Sequence, residues 1–279
     1  MTNPSNSGQC IPLINRRAKL EPKNDDKGQH IPKSKGKPGR TRRKVEVKYG
    51  IRIPNTVEEA RQFDKENGNN LWEEAIEAEI ASLKKMNCFA FKSPSYKPHD
   101  DYKWTTLHLN FEVKECGRRK ARLVAGGHLV KLEGIHSRST VVRGVSVRLM
   151  DIIAHSRNYE TLHGDIGNAF VTAPCLEKVY SRCGPEFGDL EDYIVIIEKA
   201  LYGLRSSARA FRLFLADYLR KLGFFPSRCD RDVWMRMREQ QDRYDYVCTH
   251  VDDFKVVALD ATRWCKEIGK NSNLSLWKN

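Results

Sequence analysis

The sequence predicts an α+β fold built on an antiparallel sheet, and three observations predict it. The stretch Cys248-Thr-His-Val-Asp-Asp-Phe254 places two adjacent aspartates between two apolar runs. Tyr244-Asp-Tyr-Val-Cys-Thr-His-Val251 and Phe254-Lys-Val-Val-Ala-Leu259 read as strands, with Asp252-Asp253 as the turn between them. A second alternating pair, Leu107–Val113 and Lys120–Ala125, brackets the turn residue Gly117. Between and before these pairs lie segments with helical periodicity, so strands and helices share one chain.

Composition sets the outer limits. At 279 residues, with 40% hydrophobic and 30% charged residues, the chain can bury a real core beneath a polar surface. Residues 1–50 hold 13 Lys and Arg against 4 Asp and Glu, a net of +9 out of +13. Such an arm suits a polyanion such as nucleic acid, and suits a solubilising tail almost as well. The opening residues are polar rather than signal-like, and no apolar run approaches membrane-spanning length. The eight cysteines are scattered, with no C-x-x-C pair, which is the pattern of reduced thiols in the cytoplasm or nucleus.

In chain order, residues 1–45 read as a disordered basic arm. Lys33-Ser-Lys-Gly-Lys-Pro-Gly-Arg-Thr-Arg-Arg-Lys44 is either a nuclear-localisation or nucleic-acid patch or a linker. Thr56, with Glu59 three residues on, opens a short helix that stops near Asn67-Gly68. Leu71, Ala75, Ala78, Ile80 and Leu83 then mark the inner face of a second helix, with Trp72 as a packing anchor.

In the first hairpin, Lys120 and Arg122 fall on one face by the period of two. Paired cations there either meet a phosphate or keep an edge strand from aggregating. Val145–His155 reads as an amphipathic helix. Glu160-Thr-Leu-His-Gly-Asp-Ile-Gly-Asn-Ala-Phe-Val171 begins as a strand leading into Asp165. Gly164 and Gly167 beside it leave room for a ligand or metal to approach the backbone. Asp165 by itself is also an ordinary turn residue.

Lys178–Tyr180 and Asp192–Ile197 read as strands, the latter buried. A turn at Leu201-Tyr-Gly-Leu-Arg-Ser-Ser207 enters a helix over 208–222, where Phe211, Phe214, Leu215, Tyr218 and Leu219 form a core face. Gly223 ends it. After Ala261 one more helix begins, and residues 269–279 read as an irregular tail. An Asp-Asp pair at the tip of two buried strands is either solvated or meets a cation. Mg²⁺ suits such carboxylates when substrate phosphates share the ion.

Taken together these stretches resemble the reverse transcriptase of copia-type LTR retrotransposons over about residues 71–268. The resemblance rests on Trp72…Ala75…Glu79…Leu83, Arg119-Lys-Ala-Arg-Leu-Val-Ala-Gly-Gly127, Ser146-Val-Arg148, Gly164-Asp-Ile-Gly-Asn-Ala-Phe-Val171, Lys199-Ala-Leu-Tyr-Gly-Leu-Arg205 and Val251-Asp-Asp253. It implies the right-hand fingers and palm of a polymerase over 46–268 and RNA-directed DNA synthesis. It also implies Asp165, Asp252 and Asp253 as catalytic and metal-binding residues for two Mg²⁺ ions, with Mn²⁺ as an alternative. Lys120, Arg122, Ile166, Phe170, Tyr202 and Gly203 would then bind the nucleotide. Within that set Phe170 either excludes a 2′-hydroxyl or simply belongs to the core. The implied partners are an RNA or DNA template–primer and deoxynucleoside triphosphates.

The sequence departs from the family at His250, where an aromatic is usual, and at Ser206, where a glutamine is usual. Only 26 residues follow Asp253, and no thumb or RNase H is recognisable among them. The expectation is therefore a truncated, weakly active or inactive remnant. The rival expectation is a non-catalytic nucleic-acid-binding fragment that uses the basic arm.

Overall fold

Caps set where this chain coils, and alternation sets where it extends. The computed structural model describes residues 45–131, 134, 136–238, 243–269 and 273–277; apart from Val45, the expected basic arm lies outside them. A short hairpin of β1 (Glu46–Lys48) and β2 (Ile51–Ile53) comes first. Helix α1 (Val57–Asn67) begins where Thr56 predicts, its hydroxyl accepting the Glu59 N–H at 3.2 Å. The Glu59 carboxylate reaches back to the N–H of Asn55, one residue earlier than a capping box requires.

Helix α2 (Leu71–Lys85) takes its cap from outside its own sequence. Asp64 of α1, 4% exposed, accepts the N–H groups of Trp72 and Glu73 at 2.9–3.1 Å. Asp64→Ala strips two donors at once. It is expected to cost about 2 kcal/mol, read as a lower midpoint in thermal denaturation. The inner face of α2 is Trp72, Ile76, Ile80 and Leu83. The predicted stripe through Leu71 and Ala78 is off by one residue, because the helix turns to bury its largest apolar group. Trp72 is 1% exposed and meets Phe111 edge-on at 5.6 Å between centroids.

Beyond α2 come β3 (Phe89–Lys92), β4 (Lys103–Trp104), β5 (Leu107–Val113) and β6 (Arg119–Ala125). Helix α3 (Gly144–Arg157), β7 (Glu160–Gly167) and the single turn α4 (Ala169–Thr172) follow. Then come β8 (Val179–Arg182), β9 (Ile194–Ile197) and α5 (Ser207–Lys221). The chain continues through β10 (Phe225–Pro226), β11 (Val233–Met237), β12 (Tyr244–His250), β13 (Asp253–Ala258), α6 (Ala261–Gly269) and β14 (Asn273–Trp277).

The sheet that matters for function has the order β10-β11-β12-β13-β7-β14 and is antiparallel throughout. A second, four-stranded sheet, β3-β9-β8-β4, includes one parallel pair, β4 with β8. Strands β5 and β6 form a separate hairpin. One core gathers Trp72, Ile76, Leu123, Val195 and Leu201. Another lies between the six-stranded sheet and helices α5 and α6, around Phe211, Leu215, Trp234, Phe254 and Trp264. The opposite face of that sheet packs Val257 and Tyr246 against Met150 and Ala154 of α3.

Several expectations shift. Of the five predicted core residues of α5, Phe211, Leu215 and Leu219 are buried, Phe214 is 36% exposed, and Tyr218 donates its hydroxyl to the Glu267 carbonyl at 2.6 Å. The expected irregular tail contains β14, which pairs with β7 from Gly167 to His163. Pairing through main-chain groups alone satisfies the second edge of β7 without a side-chain pattern to announce it. Among the described residues, no helix is long and apolar enough to cross a membrane.

Candidate active site

Strands β12 and β13 close on the pair His250–Asp253, which leaves Val251 and Asp252 as a two-residue turn. The sequence suggests both aspartates in the turn; the structure puts Asp252 there and makes Asp253 the first residue of a strand. Val251 sits at φ 57°. A β-branched residue in that region is strained by about 1–3 kcal/mol. The strain falls on the peptide that leads into Asp252.

Next to this turn runs β7. Its register sets Asp165 directly opposite Asp253, and the Ile166 N–H donates to the Asp252 carbonyl at 2.9 Å. Asp165 and the Asp252-Asp253 pair, more than eighty residues apart in sequence, therefore come to one end of the sheet. Asp165 and Asp252 are half-buried and Asp253 is exposed. Burial, and then the repulsion of Asp252 and Asp253, hold the Asp165 carboxyl above the usual aspartate range; Lys120 and Arg122 pull the other way. Two rungs further along, His163 pairs with Lys255. Lys255, 6% exposed, is ion-paired to Asp151 of α3. Burial and that lysine keep the His163 imidazole below its ordinary value.

The sequence reading leaves Gly164 open to an approaching ligand, and the structure corrects this. A Cβ at Gly164 would stand 2.4 Å from the Phe254 ring, its cross-strand neighbour. The space is taken by the protein's own core, and Phe254 is 3% exposed.

The β5–β6 hairpin turns its alternate residues to opposite sides. Ala121, Leu123 and Ala125 are at most 3% exposed, while Lys120 and Arg122 stand half-exposed on the other face. Burial lowers the Lys120 ammonium pKa, and Arg122 and Lys114 lower it further. The Arg122 guanidinium lies over the Tyr202 ring, 5.6 Å from its centroid, and 3.9 Å from the Glu112 carboxylate. Tyr202 in turn meets Phe170 at 4.7 Å, and Phe170 meets Phe211 at 6.3 Å. A continuous stack thus links the hairpin to α5 beside the acidic cluster.

Gly203 belongs to this seam. Its φ is 90°, and a Cβ there would fall 2.1 Å from the Ala125 carbonyl oxygen and 2.6 Å from the Val124 side chain. The Ala125 N–H donates to the Tyr202 carbonyl at 2.8 Å. The close approach that requires glycine is made by β6.

Two acidic residues beside the site have no role in it from sequence alone. Glu112 answers Lys114 and Arg122. Glu79 lies seven residues after Trp72, on the inward face of α2, and accepts the Leu123 N–H at 3.0 Å. A carboxylate at a core position of a helix is the signal that marks it. The acidic trio offers only oxygen donors, the chemistry hard divalent cations prefer, and its mutual repulsion is of the sign a cation relieves. As the side chains stand, no three His, Cys, Asp or Glu among the described residues close around a single point.

Residues 91–271 match the family model described as reverse transcriptase (RNA-dependent DNA polymerase). The retrovirus-related Pol polyprotein from transposon RE1 of Arabidopsis thaliana is 32% identical over 149 residues, 52% of this chain and 10% of that protein. Its counterpart from transposon RE2 of the same plant is 31% identical over 147 residues, 51% of this chain and 10% of that protein. The chain thus spans about a tenth of the length of these relatives. A solved foamy viral protease–reverse transcriptase in complex with double-stranded DNA overlaps 72% of this chain and 30% of its own. That overlap has 14% identity and a TM-score of 0.39, too loose to bear on the assignment. The family match spans well over half of the chain and takes in both aspartate motifs, the hairpin cations and the Tyr202-Gly203 turn. The chain belongs to the reverse transcriptase (RNA-dependent DNA polymerase) family, in the copia-type branch that its motifs resemble.

Proposed function

We propose that this chain performs RNA-directed DNA synthesis, with the six-stranded sheet as a polymerase palm and the β5–β6 hairpin as part of its fingers. The observation that carries the reading is the pairing of Asp165 with Asp253 beside Asp252. Asp165 and Asp252 would hold a pair of Mg²⁺ ions, or Mn²⁺ in their place. Asp253, on the exposed first rung, supplies a supporting negative charge, and the Ile166 carbonyl is a further oxygen donor. Ions bound there would acidify the primer 3′-hydroxyl and offset charge on the leaving pyrophosphate.

The remaining work falls to the chain itself. Lys120 and Arg122 receive the triphosphate oxygens, and Arg122 leaves the Tyr202 ring to do so. Bound phosphate relieves the mutual repulsion of the two cations, and favours the charged form of Lys120. Phe170 and Tyr202 form the wall against the sugar and base, where a 2′-hydroxyl would press on Phe170. Gly203 contributes by letting β6 sit close enough for Arg122 to reach this wall. Template and primer lie across the face that carries Asp252.

The test is single-nucleotide incorporation by the full chain on a primed poly(rA) template with Mg²⁺. Addition of dTMP is expected, with the three mismatched nucleotides excluded and EDTA abolishing the reaction. Incorporation that ignores the template base, or none at any protein concentration, refutes the proposal. Salt-sensitive RNA binding without incorporation, lost on removal of residues 1–45, would support the binding-fragment alternative instead.

A further inference from the structure

Strand β6 has two edges. One pairs with β5. On the other, Ala125 donates its N–H to the Tyr202 carbonyl, and Leu123 donates its N–H to Glu79 Oε1 at 3.0 Å. Leu123 is the immediate neighbour of Arg122 and sits fully buried between the two short-side residues Ala121 and Ala125. Its N–H has no water to turn to, so the Glu79 carboxylate is what satisfies it. Glu79 comes from α2, the helix whose start Asp64 fixes and whose inner face Trp72 anchors. Burial holds the Glu79 carboxyl above the usual glutamate range, while Lys120 and Arg122 draw it down. The same side chain therefore grips the strand and lies in the field of both cations.

We infer that Glu79 is a positioning residue for nucleotide binding: its carboxylate oxygen pins β6 to α2 through the Leu123 N–H, so that Lys120 and Arg122 stand toward Asp165 before the triphosphate arrives. Glu79 touches no substrate and acts through Leu123. The inference rests on the reading of Lys120 and Arg122 as the triphosphate ligands. Pre-placing two long cationic side chains removes an ordering cost that binding would otherwise bear. The two properties of Glu79 oppose each other. Its hydrogen bond aids triphosphate binding, and its negative charge works against it.

Two conservative variants separate them. Glu79→Gln keeps the acceptor oxygen and removes the charge. Glu79→Asp keeps the charge and withdraws the oxygen by one methylene. Equilibrium dialysis of the full chain against labelled dTTP with Mg²⁺ reads the affinity, with Arg122→Ala alongside. Glu79→Gln is expected to bind at least as tightly as the unaltered chain, and Glu79→Asp about tenfold more weakly. Amide exchange at Leu123 gives a second readout, protected in the glutamine variant and fast in the aspartate variant. If Glu79→Asp binds within about twofold of the unaltered chain, or Glu79→Gln is as weak as Glu79→Asp, the clamp is wrong. Equal Leu123 protection in both variants overturns it as well. If Arg122→Ala leaves affinity unchanged, the fault lies instead with the assignment of the hairpin cations.

Discussion

Asp252→Asn is expected to lower nucleotide incorporation by about 10³-fold or more, because each 1.4 kcal/mol of lost transition-state stabilisation is tenfold and the metal ligation proposed for Asp252 would be worth several kcal/mol. Asp165→Asn is expected to do the same to rate, and the opposite to stability. The Asp165 carboxyl is held above its ordinary value in the native state, chiefly by burial and then by its two acidic neighbours. Between the unfolded value of about 3.9 and the raised native value, the native state binds more protons than the unfolded chain. Stability in the absence of divalent ions therefore falls as pH rises through that window, and stays lower above it. An asparagine at 165 carries no such charge. The variant should melt slightly higher than the unaltered chain near pH 7 without Mg²⁺, and the difference should vanish below pH 4. Since Asp165 is only half-buried, solvent screening keeps the gain small. Thermal denaturation at several pH values, paired with a primer-extension rate, checks both halves. A variant that loses activity and stability together would mean the acidic trio carries no repulsion to relieve.

Gly203→Ala is expected to be the most damaging single methyl group in the molecule for folding, at about 3–5 kcal/mol. Two penalties coincide. The backbone is at φ 90°, where any L side chain is strained, and the added Cβ would fall 2.1 Å from the Ala125 carbonyl oxygen. A backbone oxygen cannot rotate away as the end of a side chain can. The strand must therefore separate from the turn, which breaks the hydrogen bond from the Ala125 N–H to Tyr202 and uncovers Leu201 and Leu123 beneath. Urea denaturation should show a lower midpoint with an unchanged slope. A midpoint within experimental error of the unaltered chain would show that β6 and the turn do not meet this closely.

What the sequence reveals and conceals about this fold follows from how each element is held. Strands β5 and β6 carry alternation, since each has one face in a core and one outside it. Strands β12 and β13 are buried on both faces and are legible instead as runs rich in apolar and β-branched residues. The start of α1 is readable because Thr56 does the capping from within the segment. The start of α2 is marked only by the apolar face that begins at Leu71, because its cap, Asp64, comes from the preceding helix. Strands β10, β11 and β14 leave little trace. The first is two residues long, the second is interrupted by Arg236 near its end, and the third pairs through main-chain groups.

The candidate site divides in the same way. Asp165 and the 252–253 pair stand out because acids at the ends of apolar strands are conspicuous. Glycine spacing cannot say who fills the space beside it. At Gly164 it is Phe254, and at Gly203 it is β6. The Arg122–Tyr202–Phe170 stack joins residues from three distant segments, and local sequence holds no record of it.

The interlock between β6 and the Tyr202-Gly203 turn has a mechanical consequence. The hairpin is riveted at its root, where Ala125 and Gly126 donate to the Tyr202 and Thr106 carbonyls. Among the described residues, its far end, from Lys114 to Arg118, has no hydrogen bond to the sheet that bears the aspartates. Fixed there and again at Leu123, which donates to Glu79 of α2, the hairpin cannot swing about its base, and only the stretch beyond Leu123 is left to flex. Any inward travel of Lys120 and Arg122 over a bound triphosphate is then a bow in two strands, and its amplitude grows toward the tip.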